Sequence, residues 1–221
     1  MILSAYNLSF KSSKYNVPKE ISKEYLTPES KANTVTILAA SRNTNEPNQL
    51  QEYMQMCADL TKGLMLSDKN ILTGCATTGI MGSAYKTAVE YSKKDETGRP
   101  VQNLVVTNNP LWGNENLDDC VPVVSSNSAA EGAQRFMDMS DTIVVFPGSV
   151  TTLLEASTII QKNYYGNPEE KRKVILVGKD YYKGLIEQYE TMYKVGLINC
   201  KPEELFTVVD SLEELENKVL K

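Results

Sequence analysis

The sequence predicts a doubly wound α/β domain, a mostly parallel sheet of about seven strands with helices on both faces. Three observations carry that reading. Short runs of β-branched and apolar residues alternate along the chain with stretches of helical periodicity. The runs are almost continuously apolar, as strands covered on both faces are. The 221 residues, 41% of them hydrophobic and 23% charged, suffice for one large core.

Residues 1–33 mix Ser, Lys, Asn, Pro and Tyr without a sustained period, which reads as an N-terminal arm ahead of a domain spanning 34–221. The first strand is 34–40, ending in the polar loop Ser41-Arg42-Asn43, and Pro47 suits the first turn of the helix that follows. Leu50, Met54, Cys57 and Leu64 lay one apolar stripe along that helix. Strand 70–73, a small-residue turn over 74–82 and an Ala-rich helix over 83–91 come next. Strand 103–107 leads into a polar loop around Trp112, then strand 121–124 and a helix over 128–139. Strand 142–146 enters Pro147-Gly148-Ser149, followed by a helix over 150–161. Strand 173–177, a helix over 181–195, strand 206–209 and a helix from Ser211 complete the series.

Composition removes whole classes of chemistry. The chain has no histidine, so imidazole bases, Ser-His-Asp triads and His-ligated metals are out. A net charge of −5 argues against nucleic acid as a partner. No apolar run approaches the ~20 residues of a membrane span, and the N-terminus lacks a signal-peptide pattern, so the expected address is cytoplasmic. Cys57, Cys75, Cys120 and Cys200 form no CxxC and read as reduced, structural thiols. The pair Asp118-Asp119 has no third carboxylate nearby in sequence, and no metal or cofactor is expected.

In a doubly wound sheet, ligands sit where strand C-termini feed helix N-termini. Two such loops consist almost wholly of small residues. In one, Gly74, Thr77, Thr78, Gly79 and Gly82 promise unobstructed N–H groups at a helix start, a place for phosphate. In the other, Gly148, Ser149, Thr151 and Thr152 offer the same backbone plus three hydroxyls. Tight strand-to-helix turns need small residues in any case, so each loop also has a purely structural reading. Glu155, three residues after Thr152, is expected in the first turn of its helix and ionised by the helix dipole. A carboxylate ~6 to 9 Å from a bound 5'-phosphate is able to serve at the sugar C1' of a nucleotide and cleave its N-glycosidic bond.

Thr73-Gly74 with Gly79-Ile-Met-Gly82, and the run from Phe146 to Glu155, resemble the GGGxxGLMG and PGGxGTxxE motifs of the Lonely Guy (LOG) family. Members of that family, long labelled lysine decarboxylases, are Rossmann-like nucleoside 5'-monophosphate phosphoribohydrolases, including those acting on cytokinin riboside 5'-monophosphates. The resemblance implies that Glu155 is catalytic and that Gly74, Gly79, Met81, Gly148 and Thr152 hold their motif positions. Ser41-Arg42 falls at the family's first-strand loop. The sequence departs from the pattern at Cys75, Ala76, Ser149 and Thr151, where the family has glycines, and at Gly132, where it has an arginine. Arg135, one helical turn further on, is the candidate to replace that arginine; the competing reading is a solvated charge paired with Glu131. The helix over 150–163 with Tyr164 and Tyr165 would contribute to a homodimer or higher homo-oligomer, with core packing as the competing reading; the Trp112 loop reads as a lid or base-specificity element, or Trp112 simply anchors that loop.

Two functions from different classes follow. One is hydrolysis of a purine nucleoside monophosphate, AMP or a cytokinin-type nucleotide, to free base and ribose 5-phosphate. The other is a non-catalytic nucleotide or molybdenum-cofactor carrier on the same scaffold.

Overall fold

The computed structural model describes residues 17–44, 50–108 and 117–220. Seven strands, β1 (Thr34–Leu38), β2 (Asn70–Gly74), β3 (Asn103–Asn108), β4 (Val121–Ser126), β5 (Thr142–Val145), β6 (Lys173–Val177) and β7 (Thr207–Val209), form one sheet in the order β4-β3-β2-β1-β5-β6-β7. Every pairing is parallel. The order reverses between β1 and β5, which makes their C-terminal ends the crevice of a doubly wound sheet.

Helices α2 (Gln51–Leu66), α3 (Gly79–Tyr91) and α7 (Leu212–Val219) cover one face, and α4 (Ala129–Met139), α5 (Val150–Tyr165) and α6 (Lys179–Lys194) the other. The apolar stripe expected on the first long helix is there: Cys57, Leu60 and Leu64 are fully buried against the sheet, with Leu50 and Met54 packed at its edge. The central strands have no exposed face, as their sequences require; Val35, Ile37, Ile71, Ile143 and Ile175 each lie at 1% exposure or less. Thr36, at the centre of β1, is buried too, and its hydroxyl lies 2.5 Å from that of Ser140, which in turn donates to the Phe136 carbonyl.

Helix α3 begins at Gly79 rather than Ser83, so half of the small-residue turn is already helical. Pro47 and the Trp112 loop lie outside the described residues. Of the arm, residues 17–33 run as a short 3-10 turn and helix α1 (Pro28–Ala32), which rest beside α4. The Pro18 carbonyl accepts a 2.9 Å bond from the Ser125 amide of β4. Among the described residues no helix is long and apolar enough to cross a membrane.

A candidate nucleotide site at the strand C-termini

The β1 loop and the loop before α3 are tied together. The Thr78 hydroxyl donates to the Ser41 carbonyl at 2.6 Å, the Gly79 amide to Asn43 Oδ1 at 3.2 Å, and the Met81 amide to the Ala40 carbonyl at 3.0 Å. Gly79 has a φ of +66°, and a Cβ there would fall 2.5 Å from the Ala40 carbonyl oxygen. This corrects the expectation of a phosphate cradle at 74–82. Two of the amides that would greet an anion are already spent on the neighbouring loop, so the small residues serve close packing. Met81 is buried, with its sulfur against Gly74, and Ser41, Arg42 and Thr78 are exposed on the rim.

The start of α5 is different. Ser149 is its N-cap but makes no side-chain capping bond, and Val150 and Thr151 are exposed. The amides of the first turn therefore face open space at the positive end of a 16-residue helix. Thr152 does not share that surface: it is 4% exposed, and its hydroxyl donates to the Ala39 carbonyl at 3.3 Å. Its side chain also explains Gly148, since a Cβ there would lie 2.3 Å from Thr152 Oγ1. Of the expected phosphate ligands in this loop, Ser149 and Thr151 remain available, while Gly148 and Thr152 shape the turn.

Glu155 is the sixth residue of α5, not a first-turn residue, and that changes its charge. The dipole acts only over the first turn, and burial pushes the Glu155 carboxyl from an ordinary 4.5 up to about 8. No opposing charge or hydrogen bond offsets the loss of water among the described residues, so burial favours the neutral acid over the expected carboxylate. Its Oε1 lies 3.6 Å from where a Cβ of Gly132 would be, and Ser126 Oγ is the same distance from that point. The carboxyl thus occupies the gap between α5 and α4, opposite the position where a cation is missing.

Arg135 does not fill that gap. Its Nη2 donates to Glu131 Oε1 at 3.1 Å and to the Lys19 carbonyl at 3.4 Å, so it ties α4 to the arm. Glu131 also accepts the Asn127 amide at 2.8 Å, which with the Ser128 cap closes the start of α4 to an anion.

This arrangement predicts a stability slope. The raised Glu155 pKa means that the folded chain holds a proton the unfolded chain has released, so folding is favoured below about pH 4.5 and that advantage disappears as pH rises to about 8. Urea unfolding of the unaltered chain should show stability falling by up to a few kcal/mol over that window, since each tenfold weakening of the acid on folding corresponds to ~1.4 kcal/mol. Glu155→Gln, which cannot ionise, should lack that component and be the more stable protein at pH 9.

A cavity of about 570 Å³ lies at the β1/β5 crevice, on the α6 side of the α5 start. Arg42, Asn43, Tyr53, Ser149, Asp180 and Tyr181 line it, and Glu155, Arg135, Thr77 and Thr78 do not. The sequence reading missed Asp180 and Tyr181. They follow β6, which neighbours β5, and the Val177-Gly178 end of that strand is the signal that marks another ligand-facing loop.

Residues 78–219, more than half of the chain, match the family described as possible lysine decarboxylase. The chain belongs to that family, the LOG family. No curated protein matches the sequence significantly. Among solved structures, the molybdenum cofactor carrier protein MCP from Chlamydomonas reinhardtii is similar at 14% identity, over 85% of this chain and 98% of its own, with a TM-score of 0.52. DNA processing protein A from Helicobacter pylori is similar at 11% identity over 92% of this chain and 85% of its own, with a TM-score of 0.55. At these identities the likeness concerns the fold alone.

Proposed function

We propose that the protein binds a nucleoside 5'-monophosphate with its phosphate on the first turn of α5, and hydrolyses the N-glycosidic bond with Glu155 as proton donor. The uncapped α5 N-terminus followed by Glu155 on the same helix is the observation that carries this reading. From Ser149 to Glu155 the helix rises roughly 9 Å, and helical side chains lean back toward the N-terminus. That spacing suits a phosphate at one end and C1' at the other.

A neutral carboxyl is the form the reaction needs first. Glu155 gives its proton to the departing base nitrogen as the C1'–N bond breaks, and the carboxylate so formed stabilises the positive charge on the sugar. Water then adds to C1', and the proton it releases returns to Glu155. The products are free base and ribose 5-phosphate, and the residue is restored. Ser149 and Thr151 hydroxyls add donors to the phosphate, and Arg42 on the β1 loop adds charge at the rim.

A second reading, a carrier or sensor that binds nucleotide or molybdenum cofactor without turnover, draws on one specific feature: Gly132 leaves Glu155 without a cation to hold it ionised. Release of ribose 5-phosphate from a panel of nucleoside monophosphates, with plain nucleosides beside them, separates the two. Monophosphates should be cleaved and nucleosides left intact. No cleavage by a folded protein whose melting temperature rises with a monophosphate would establish the second reading instead.

A further inference from the structure

The cavity on the α6 side does not include Glu155, yet it reaches the N-cap of α5 through Gly148 and Ser149. Its walls carry three polar heads that the fold leaves uncommitted. Among the described residues, Arg42 and Asp180 have no ion pair, and the Tyr53 hydroxyl has no hydrogen-bond partner. Tyr181 is fixed, because its hydroxyl donates to the Gly148 carbonyl. The Tyr53 ring rests over Gly178, where a Cβ would fall 2.6 Å from its hydroxyl oxygen. Burial, followed by Asp210, Glu52 and Asp180, raises the Tyr53 pKa, so its hydroxyl is held as a donor, and Asp180 is the carboxylate on the cavity wall.

The cavity therefore brings together one cationic side chain, Arg42, the N-cap of α5, one carboxylate, Asp180, and two tyrosines. At about 570 Å³ it has room for far more than a phosphate. The chemistry that fits is an aromatic ring bearing an amino group, joined to a phosphate: the ring contacts Tyr53 and Tyr181, the amino group donates to Asp180, and the phosphate meets Arg42 and the α5 amides.

We infer that this cavity is a base-binding pocket for nucleoside monophosphates with an amino-substituted base, in an orientation that turns the glycosidic carbon away from Glu155. The inference rests on the phosphate reading of α5 given above. One phosphate position then serves two orientations of the same ligand. With the base toward α4, C1' meets Glu155; with the base in the cavity, the nucleotide is held without being cut. Occupation of the cavity limits turnover by competing for the same amides.

Calorimetry in a Glu155→Gln background, where no ligand is consumed, tests it with AMP, inosine 5'-monophosphate and ribose 5-phosphate. Asp180→Asn and Tyr53→Leu should each weaken AMP binding about tenfold and leave ribose 5-phosphate binding unchanged. AMP should bind the parent more tightly than inosine monophosphate, which lacks the amino group. Unchanged AMP affinity in both variants, at melting temperatures close to the parent's, would overturn the pocket. In chains that keep Glu155, Asp180→Asn should raise kcat and KM for AMP together, as loss of a non-productive orientation does; a KM that rises with kcat unchanged or lower would overturn the turned-away orientation. Absence of binding by AMP and ribose 5-phosphate alike is a different result, which removes the phosphate reading itself.

Discussion

Glu155→Gln should release ribose 5-phosphate at least about 10²-fold more slowly than the unaltered chain, the usual scale for loss of a positioned general acid. The substitution keeps shape and removes only the transferable proton. The substitution breaks no contact, because Glu155 has no hydrogen bond or ion pair to lose among the described residues. The unaltered protein should also show kcat/KM falling on the alkaline side of about pH 8, as the neutral acid of the free protein disappears, and the residual rate of the variant should lack that limb. Direction matters here. An ionised glutamate acting as a base would give a rate that rises through the same pKa. A full rate in Glu155→Gln would remove Glu155 as the proton donor.

Gly79→Ala should cost about 3 kcal/mol or more in urea unfolding, or prevent accumulation of folded protein. The backbone at φ +66° disfavours any side chain by ~1–2 kcal/mol. The added carbon would also lie 2.5 Å from the Ala40 oxygen and 2.8 Å from the Arg42 oxygen, both of them backbone atoms that cannot swing aside. Gly98→Ala is the control: its φ of +83° is equally unfavourable, but nothing lies within 4 Å of the new carbon. The excess of the first cost over the second measures the loop clasp. Equal costs would mean that the β1 loop yields readily.

The fold was legible in the sequence because each strand carries its own signal in a handful of apolar or β-branched residues, and because a parallel sheet buries both faces. Boundaries shifted where glycines blurred the pattern, as at the start of α3. The site was legible only in its parts. The small residues of 74–82 and 147–152 look alike in sequence, and nothing local distinguishes the loop whose amides bond to Asn43 and Ala40 from the loop whose amides stay open. The sequence places Glu155 on its helix but does not reveal its burial. Ionisation depends on which residues from α4 face it, and Gly132 supplies none. Arg135 lies in the right helix, yet its partners, Glu131 and the Lys19 carbonyl, include an arm residue 116 positions away that no local pattern could assign to it.

The bond from Ser125 to Pro18 bears on how copies of this chain keep apart at high concentration. An open sheet ends in two strands with unpaired backbone groups, and such strands can recruit another molecule. β7 is short, at three residues, and offers little template. β4 is twice as long, and it is defended by two prolines: Pro122 within the strand has no amide to offer, and Pro18 occupies the Ser125 amide with its carbonyl. Removing the residues up to Pro18 would strip one of these defences, and the exposed strand would be the first place for copies to stick together.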